Sequence, residues 1–295
     1  MDWGQITMVK QIINEEINKE NKKTLEELSK AGYTPKDIKN FIESLHRQKN
    51  YTSEPLELGK NKIRIGVSGD YHMGNINYDT SLMDFYAQET KRLKVDLHLN
   101  TGDLFDGWYQ NRPASIFEQN AIGFDRQIDK ATKELSKLEA PIYFITGNHS
   151  YNTFVRGAGI EAGPYLEDKL KSKGLEAHYL GNGEGNLILE NKVKIRLLHP
   201  DGGTCYAVSY RPQKIIESLE SGQKPQALFI GHFHKMDYMF YRNIHQFQTG
   251  TFCGQTKFMK GKGIPAHKGF WIIDIYAKSD GEIRPLIARM YPAYK

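Results

Sequence analysis

The sequence predicts a layered α/β domain over residues 62–295, preceded by a small helical domain over residues 1–50. Three observations predict it. From Lys62 onward, apolar strand-like runs alternate with amphipathic stretches, the pattern of strands and helices packed in layers. The C-terminal third holds several more strand-like runs, which fits a second sheet packed on the first. Before residue 50 the apolar spacing is helical, and YTSEPLELGKN, residues 51–61, is a polar linker with a proline.

The elements follow in order. Ile6, Val9, Ile12, Ile13 and Ile17 mark a first amphipathic helix. Thr24 and Glu27 have capping-box spacing for a second, which stops near Gly32. Thr34-Pro35 starts a third, carried by Ile38, Phe41, Ile42 and Leu45. The phrase TLEELSKAGYTPKDIKNFIESL reads as helix, turn, helix and resembles the helix-turn-helix of DNA-binding domains. A helical hairpin docked on the main domain or on another subunit fits equally well. Strands are expected at 62–68, 95–101, 141–147, 193–199 and 226–231, and helices at about 79–93, 115–138, 163–173 and 211–221. Further strands are expected at 175–181, 185–190, 237–249, 268–276 and 283–291.

Composition narrows the class. A chain with 39% hydrophobic and 12% aromatic residues can bury a core and is not a disordered sequence. Two cysteines, Cys205 and Cys253, exclude a disulfide scaffold and a zinc ribbon, and fit reduced thiols. No apolar run reaches the roughly 18 residues needed to span a bilayer. The N-terminus is too acidic and polar for a secretory signal, so a cytoplasmic protein is expected. The net charge of +5 favours a polyanionic partner. Residues 1–60 carry ten basic and ten acidic side chains, so the excess lies in the main domain. In the N-terminal region a DNA reader would still concentrate Lys36, Lys39, Arg47 and Lys49 on one helix face.

Five motifs follow apolar runs. Asp70 and His72 follow KIRIGVSG, Asp103 follows VDLHLNTG, and Asn148 and His149 follow PIYFITG. His199 ends VKIRLLH, and His232 and His234 follow ALFIG. In open α/β sheets ligands gather at the carboxyl ends of strands. Asp70 and His72, two residues apart in an extended segment, point the same way and can reach one ion. Asp103 can bridge two ions, Asn148 offers a carbonyl oxygen, and the histidines offer nitrogen. Mixed nitrogen and oxygen donors suit manganese, iron or zinc over calcium. Two such ions about 3.5–4 Å apart suit phosphoester hydrolysis, binding phosphoryl oxygens and acidifying a water. The leaving alkoxide still needs a proton. His149, beside Asn148, is the candidate general acid, and Asp106, three residues past Asp103, is placed to hold its imidazolium. The other histidines, His46, His98, His178, His245 and His267, read as ordinary core or surface groups.

GDYH, GDLFDG, GNH, a single His and GHFH together resemble the calcineurin-like metallophosphoesterase superfamily, over residues 62 to about 255. The resemblance implies a four-layer α/β/β/α sandwich with two mixed sheets between helices. It implies one metal held by Asp70, His72, Asp103 and His234, and another by Asp103, Asn148, His199 and His232. It also makes His149 the acid and Asp106 its support. Two departures stand out: Ser150 follows GNH where an acidic residue is common, and LLHPDGG lacks the glycine many members carry beside the histidine.

GDLFDGW resembles the second motif of DNA-repair exonucleases and of lipid-precursor pyrophosphatases related to UDP-diacylglucosamine hydrolase. A basic chain with a helical arm fits the first branch, and no apolar lid for acyl chains is evident for the second. Trp108, Tyr109, Arg112 and Arg156 follow metal motifs and suit stacking on a base or clamping a phosphate. Lys235 and the run KFMKGKG (257–263) are further phosphate contacts, or solvated surface. The expected function is a two-metal phosphodiesterase acting on nucleic acid, DNA above all. Its expected cofactor is two divalent ions, manganese first, with iron or zinc admitted by the same donors. The alternatives are a phosphomonoesterase or phosphoprotein phosphatase, for which Arg112 and Arg156 speak, and a DNA-binding scaffold whose metal site is vestigial.

Overall fold

KIRIGVS forms β1 (Lys62–Ser68) at the heart of the first sheet, with Ile63, Ile65 and Val67 on one face. β2 (Leu97–Asn100) runs parallel to β1, β3 (Ile142–Thr146) to β2, and β4 (Ala177–Asn182) to β3. β10 (Gly269–Ala277) pairs antiparallel with β1, and β11 (Ile283–Pro292) with β10. The six strands lie in the order β11-β10-β1-β2-β3-β4. A second sheet joins β5 (Glu184–Leu189), β6 (Val193–Leu198), β7 (Ala227–Ile230), β9 (Ile244–Thr249) and β8 (Met236–Tyr241), in that order. The computed structural model describes residues 62–293 apart from 110–111, 190–192, 221 and 223, together with Lys60, Lys30 and Thr34. The chain divides into two units, Met1–Lys49 and Asn50–Lys295. The helices expected over 1–50, the helix-turn-helix reading and all of the linker but Lys60 lie outside the described residues.

Strand alternation builds the layers. Ile63, Ile65, Val67, Leu97 and Leu99 point into a core shared with Leu187, Ile195, Leu197, Phe229 and Phe247 of the second sheet. The opposite face of the first sheet is covered by α1 (Thr80–Leu93), α2 (Phe124–Leu135) and α3 (Ala162–Ser172), through Met83, Ile128 and Leu166 against Phe144 and Ile272. The outer face of the second sheet is covered by α4 (Tyr210–Ser218), where Ile216 packs with Leu228, Ile230 and Ile244. The result is the four-layer α/β/β/α sandwich. Strands covered on both faces read as continuous apolar runs, and this explains why they were legible. Truncating a fully buried residue such as Leu99 to alanine costs about 2–5 kcal/mol. Polar ties cross between the sheets as well: Trp271 Nε1 donates to the Gln248 carbonyl at 2.9 Å, and the Thr101 and Thr249 hydroxyls meet at 2.7 Å.

Local chemistry sets the boundaries. Asp79 caps α1, its Oδ1 accepting from Leu82 N at 3.0 Å. The single strand expected over 237–249 is a hairpin, because Arg242 and Asn243 both adopt positive φ and turn the chain. The helix expected over 115–138 is two elements, a 3-10 turn (Pro113–Glu118) and α2. Between them Asn120 N bonds to the Gly74 carbonyl, and Gly123 at φ 93 lies outside helical space. The run KFMKGK is a short helix, α5 (Lys257–Lys262), capped by Thr256, whose hydroxyl accepts from Met259 N. Residues 148–158 are also helical, with a π turn at Tyr151–Val155. Its Asn, Thr, Tyr and Val are weak helix formers, so no periodic signal announced it. Among the described residues no helix is long and apolar enough to cross a membrane.

Candidate metal centre

The loops after β1, β2, β3, β6 and β7 end at one place. Three groups of side chains there bring ligand atoms within 4.8 Å of one another: Asp70, His72 and His234; His72, Asp103 and His149; Asp103, His199 and His232. Asn148 joins them, its Oδ1 lying 3.0 Å from His199 Nε2 and 2.8 Å from His232 Nδ1. His72 Nε2 and His234 Nε2 face each other at 2.9 Å, and Asp70 Oδ1 stands 3.5 Å from His234 Nε2. Asp103 occupies the middle: Oδ2 lies 3.0 Å from His199 Nε2, and Oδ1 accepts from His149 N at 3.0 Å. The carboxylate of Asp70 in turn accepts from His232 N at 2.9 Å.

Backbone strain marks the same residues. Among the described residues eight non-glycines have positive φ, and five are Asp70, His72, Asp103, His232 and His234, at φ 46–76. Each such conformation costs about 1–3 kcal/mol and persists only where the surroundings impose it, which is typical of functional loops.

The donor set fits divalent cations in chemistry and in support. A carbonyl can only accept, so each imidazole nitrogen bonded to one carries hydrogen and the other nitrogen is left to ligate. His199 Nδ1 bonds the Thr101 carbonyl at 2.8 Å, and His232 Nε2 bonds the Gly202 carbonyl at 2.5 Å. His72 Nδ1 faces the Asp106 carboxylate at 3.6 Å. Outer partners of this kind orient metal-binding imidazoles. Charge points the same way. Burial pushes Asp70 up to about 7, although His199 opposes it. Burial opposes protonation of His199, yet the charge and hydrogen bond of Asp103 outweigh it and raise the group to about 9. Burial likewise works against ionised Asp103, but His199 and His149 hold it well below the usual carboxylate range. Burial lowers His232 to about 4 and pushes His234 well below its ordinary value. The centre thus keeps Asp103 ionised at its middle, with His232 and His234 held neutral beside it.

Asp106 supports two rings at once. His149 Nδ1 donates to the Asp106 carbonyl at 2.6 Å, while the carboxylate stands 3.9 Å from that nitrogen. The carboxylate Oδ2 is held by Asn75 and Gln119, each at 3.2 Å. Burial lowers His149, against the pull of Asp103. Ser150 is buried and its hydroxyl has no partner among the described residues, and the Asp106 carbonyl is what orients His149.

His72, Asp103, Asn148, His149, His232 and His234 open into a cleft of about 460 Å³, while Asp70 and His199 lie buried behind. Tyr109 and Arg112 line the cleft. Trp108 is 39% exposed and is not among the cleft's lining residues. Arg156 reaches Asn152 at 3.4 Å, and Lys235 is buried with its ammonium on the Cys205 carbonyl at 2.9 Å. Sequence reading missed Asn75 and Gln119, and singled out Phe258 and Met259 only as part of the 257–263 run; all four line the cleft. Nothing in their spacing distinguishes them from ordinary loop and helix residues.

A two-sheet sandwich with carboxylates and imidazoles at its strand ends defines a class of metal-dependent hydrolases. The family model for calcineurin-like phosphoesterases matches residues 63–236, and the chain belongs to that family, whose members bind divalent metals and hydrolyse phosphoesters. No curated protein matches in sequence. Among solved structures the chain is similar to an archaeal phosphodiesterase, at 15% identity and a TM-score of 0.45, covering 78% of this chain and 100% of that one. It is also similar to zinc-complexed Vps29 from Entamoeba histolytica, at 11% identity and a TM-score of 0.42, covering 78% and 99%. A 5′-nucleotidase precursor from Thermus thermophilus matches at 10% identity and a TM-score of 0.39, covering 78% of this chain and 54% of that one.

Proposed function

We propose that the protein hydrolyses phosphodiester bonds in nucleic acid, with His149 as general acid. The observation that carries this is the convergence of His72, Asp103, Asn148, His232 and His234 in one cleft with Asp70 and His199 directly behind them, Asp103 being central. Asp70, His72, Asp103 and His234 would hold one divalent ion, and Asp103, Asn148, His199 and His232 a second. Bound there, manganese, iron or zinc would neutralise phosphoryl charge and make water acidic enough to attack near neutral pH. The Asp106 carbonyl fixes Nδ1–H of His149, so Nε2 is the atom that delivers a proton to the departing oxygen. Nε2 stands 4.0 Å from Asp103 Oδ2, close enough for that carboxylate to favour the charged ring. The excess positive charge beyond residue 60 favours a polyanionic substrate.

Purified full-length protein with manganese should cleave single- or double-stranded DNA. Intact DNA together with rapid hydrolysis of a phosphomonoester refutes the proposal. That outcome favours the second reading, a phosphatase, for which Arg112 in the cleft is the supporting residue.

A further inference from the structure

One arm of the cleft leads away from the metal ligands on the His149 side. Its first residue is Tyr109, whose ring meets the His149 ring edge-on at 5.1 Å and whose hydroxyl accepts from Asn148 Nδ2 at 3.3 Å. The Arg112 guanidinium comes next, 5.5 Å from the Tyr109 ring centre and 4.6 Å from that of Phe258. Among the described residues no carboxylate pairs with it. Phe258 is 49% exposed, and Met259 beside it and Ile264 continue the apolar wall. The wall is tied together where Glu118 accepts from Lys257 N at 3.0 Å.

These features share one complement. Aromatic faces and a flat guanidinium bind a planar π system, and the rigid stacking is tolerant of its identity. We propose that this arm is a subsite for a nucleobase on the leaving side of the scissile phosphate. The placement on the leaving side rests on the reading of His149 as the acid, because Tyr109 packs against that ring.

The test compares adenosine 5′-monophosphate with ribose 5-phosphate by calorimetric titration of the metal-free full chain. The nucleotide should bind about 10-fold tighter or more, the range stacking on one aromatic supplies. Arg112→Met and Phe258→Leu should each remove most of that preference; both side chains are exposed enough to leave the fold intact. Equal affinities, or variants that keep the preference, overturn the subsite. A parallel assay uses a dinucleotide and its counterpart with an abasic leaving residue. Cleavage of both at one rate leaves the phosphodiesterase standing and removes the subsite. Base-dependent binding without any phosphodiester cleavage keeps the subsite and removes the phosphodiesterase.

Discussion

Gly147 separates the last residue of β3 from Asn148, and replacing it with alanine tests the centre without touching a ligand. Its backbone, φ −123 and ψ −167, is extended and open to any residue, so alanine brings no conformational strain. On the unfolded-state side the change should even stabilise the fold by about 0.4–1 kcal/mol. The obstacle is local. A β-carbon there would lie 2.4 Å from Asp103 Oδ1 and 2.7 Å from His199 Nε2. Ordinary contact begins near 3.4 Å, so a side chain must retreat by about 1 Å. His199 cannot easily do so, being buried with Nδ1 on the Thr101 carbonyl. The Asp103 carboxylate must therefore turn and give up the His149 amide, and His199, 2.7 Å away, is pressed as well. Misplacement of about 1 Å at a reacting centre costs about 10²-fold in rate, and disturbed support of a metal ligand costs about 10–100-fold in affinity. Manganese titration of turnover, with metal content measured directly, should show both losses while the thermal midpoint changes little. Gly203→Ala, with no atom within 4 Å of its β-carbon and no left-handed φ, should behave as wild type. A Gly147→Ala protein with unaltered metal affinity and turnover would refute the packing described for Asp103.

Three further outcomes are expected. His149→Ala should keep its metal and lose about 10²–10⁴-fold in turnover, and full activity would remove its role as acid. Asp103→Asn should abolish hydrolysis and weaken metal binding; a protein that shows no hydrolysis before the change and keeps its DNA affinity after it is a scaffold and not this enzyme. Asp274 tests electrostatics away from the cleft: burial opposes its ionisation, yet bonds from Arg64, Lys62 and Arg289 lower it to about 2 from the ordinary 3.8. A depressed carboxylate stabilises the fold above its unfolded value and loses that contribution as pH falls from about 4 towards 2. Allowing for screening through the part-exposed Lys62 and Arg289, the contribution is about 1–2 kcal/mol. Asp274→Asn should therefore lower the urea midpoint at pH 7, and the deficit should shrink on acidification; a deficit that is constant with pH would contradict this account.

What could be read from sequence follows from burial. β1, β2, β3, β6 and β7 are covered on both faces, so they stand out as apolar runs, and the motif residues at their ends inherit that clarity. The helix over 148–158 and α5 carry no such signal, because each is too short to set up an apolar period. The break between the 3-10 turn and α2 was equally hidden. It depends on Asn120 meeting the Gly74 carbonyl, a pairing between distant loops.

The amino-acid sequence by itself determined the class of the fold and which carboxylates and imidazoles stand at its strand ends, since alternation in strands and the residue types at strand ends are local properties. Only the tertiary structure decided which nitrogen of His149, His199 and His232 is free, that Asp106 holds His149 through its main chain, and that Tyr109 and Arg112 face the cleft while Lys235 is turned away. Those features depend on carbonyls and rings brought together from loops distant in the chain, and no pattern within a single segment encodes such a meeting.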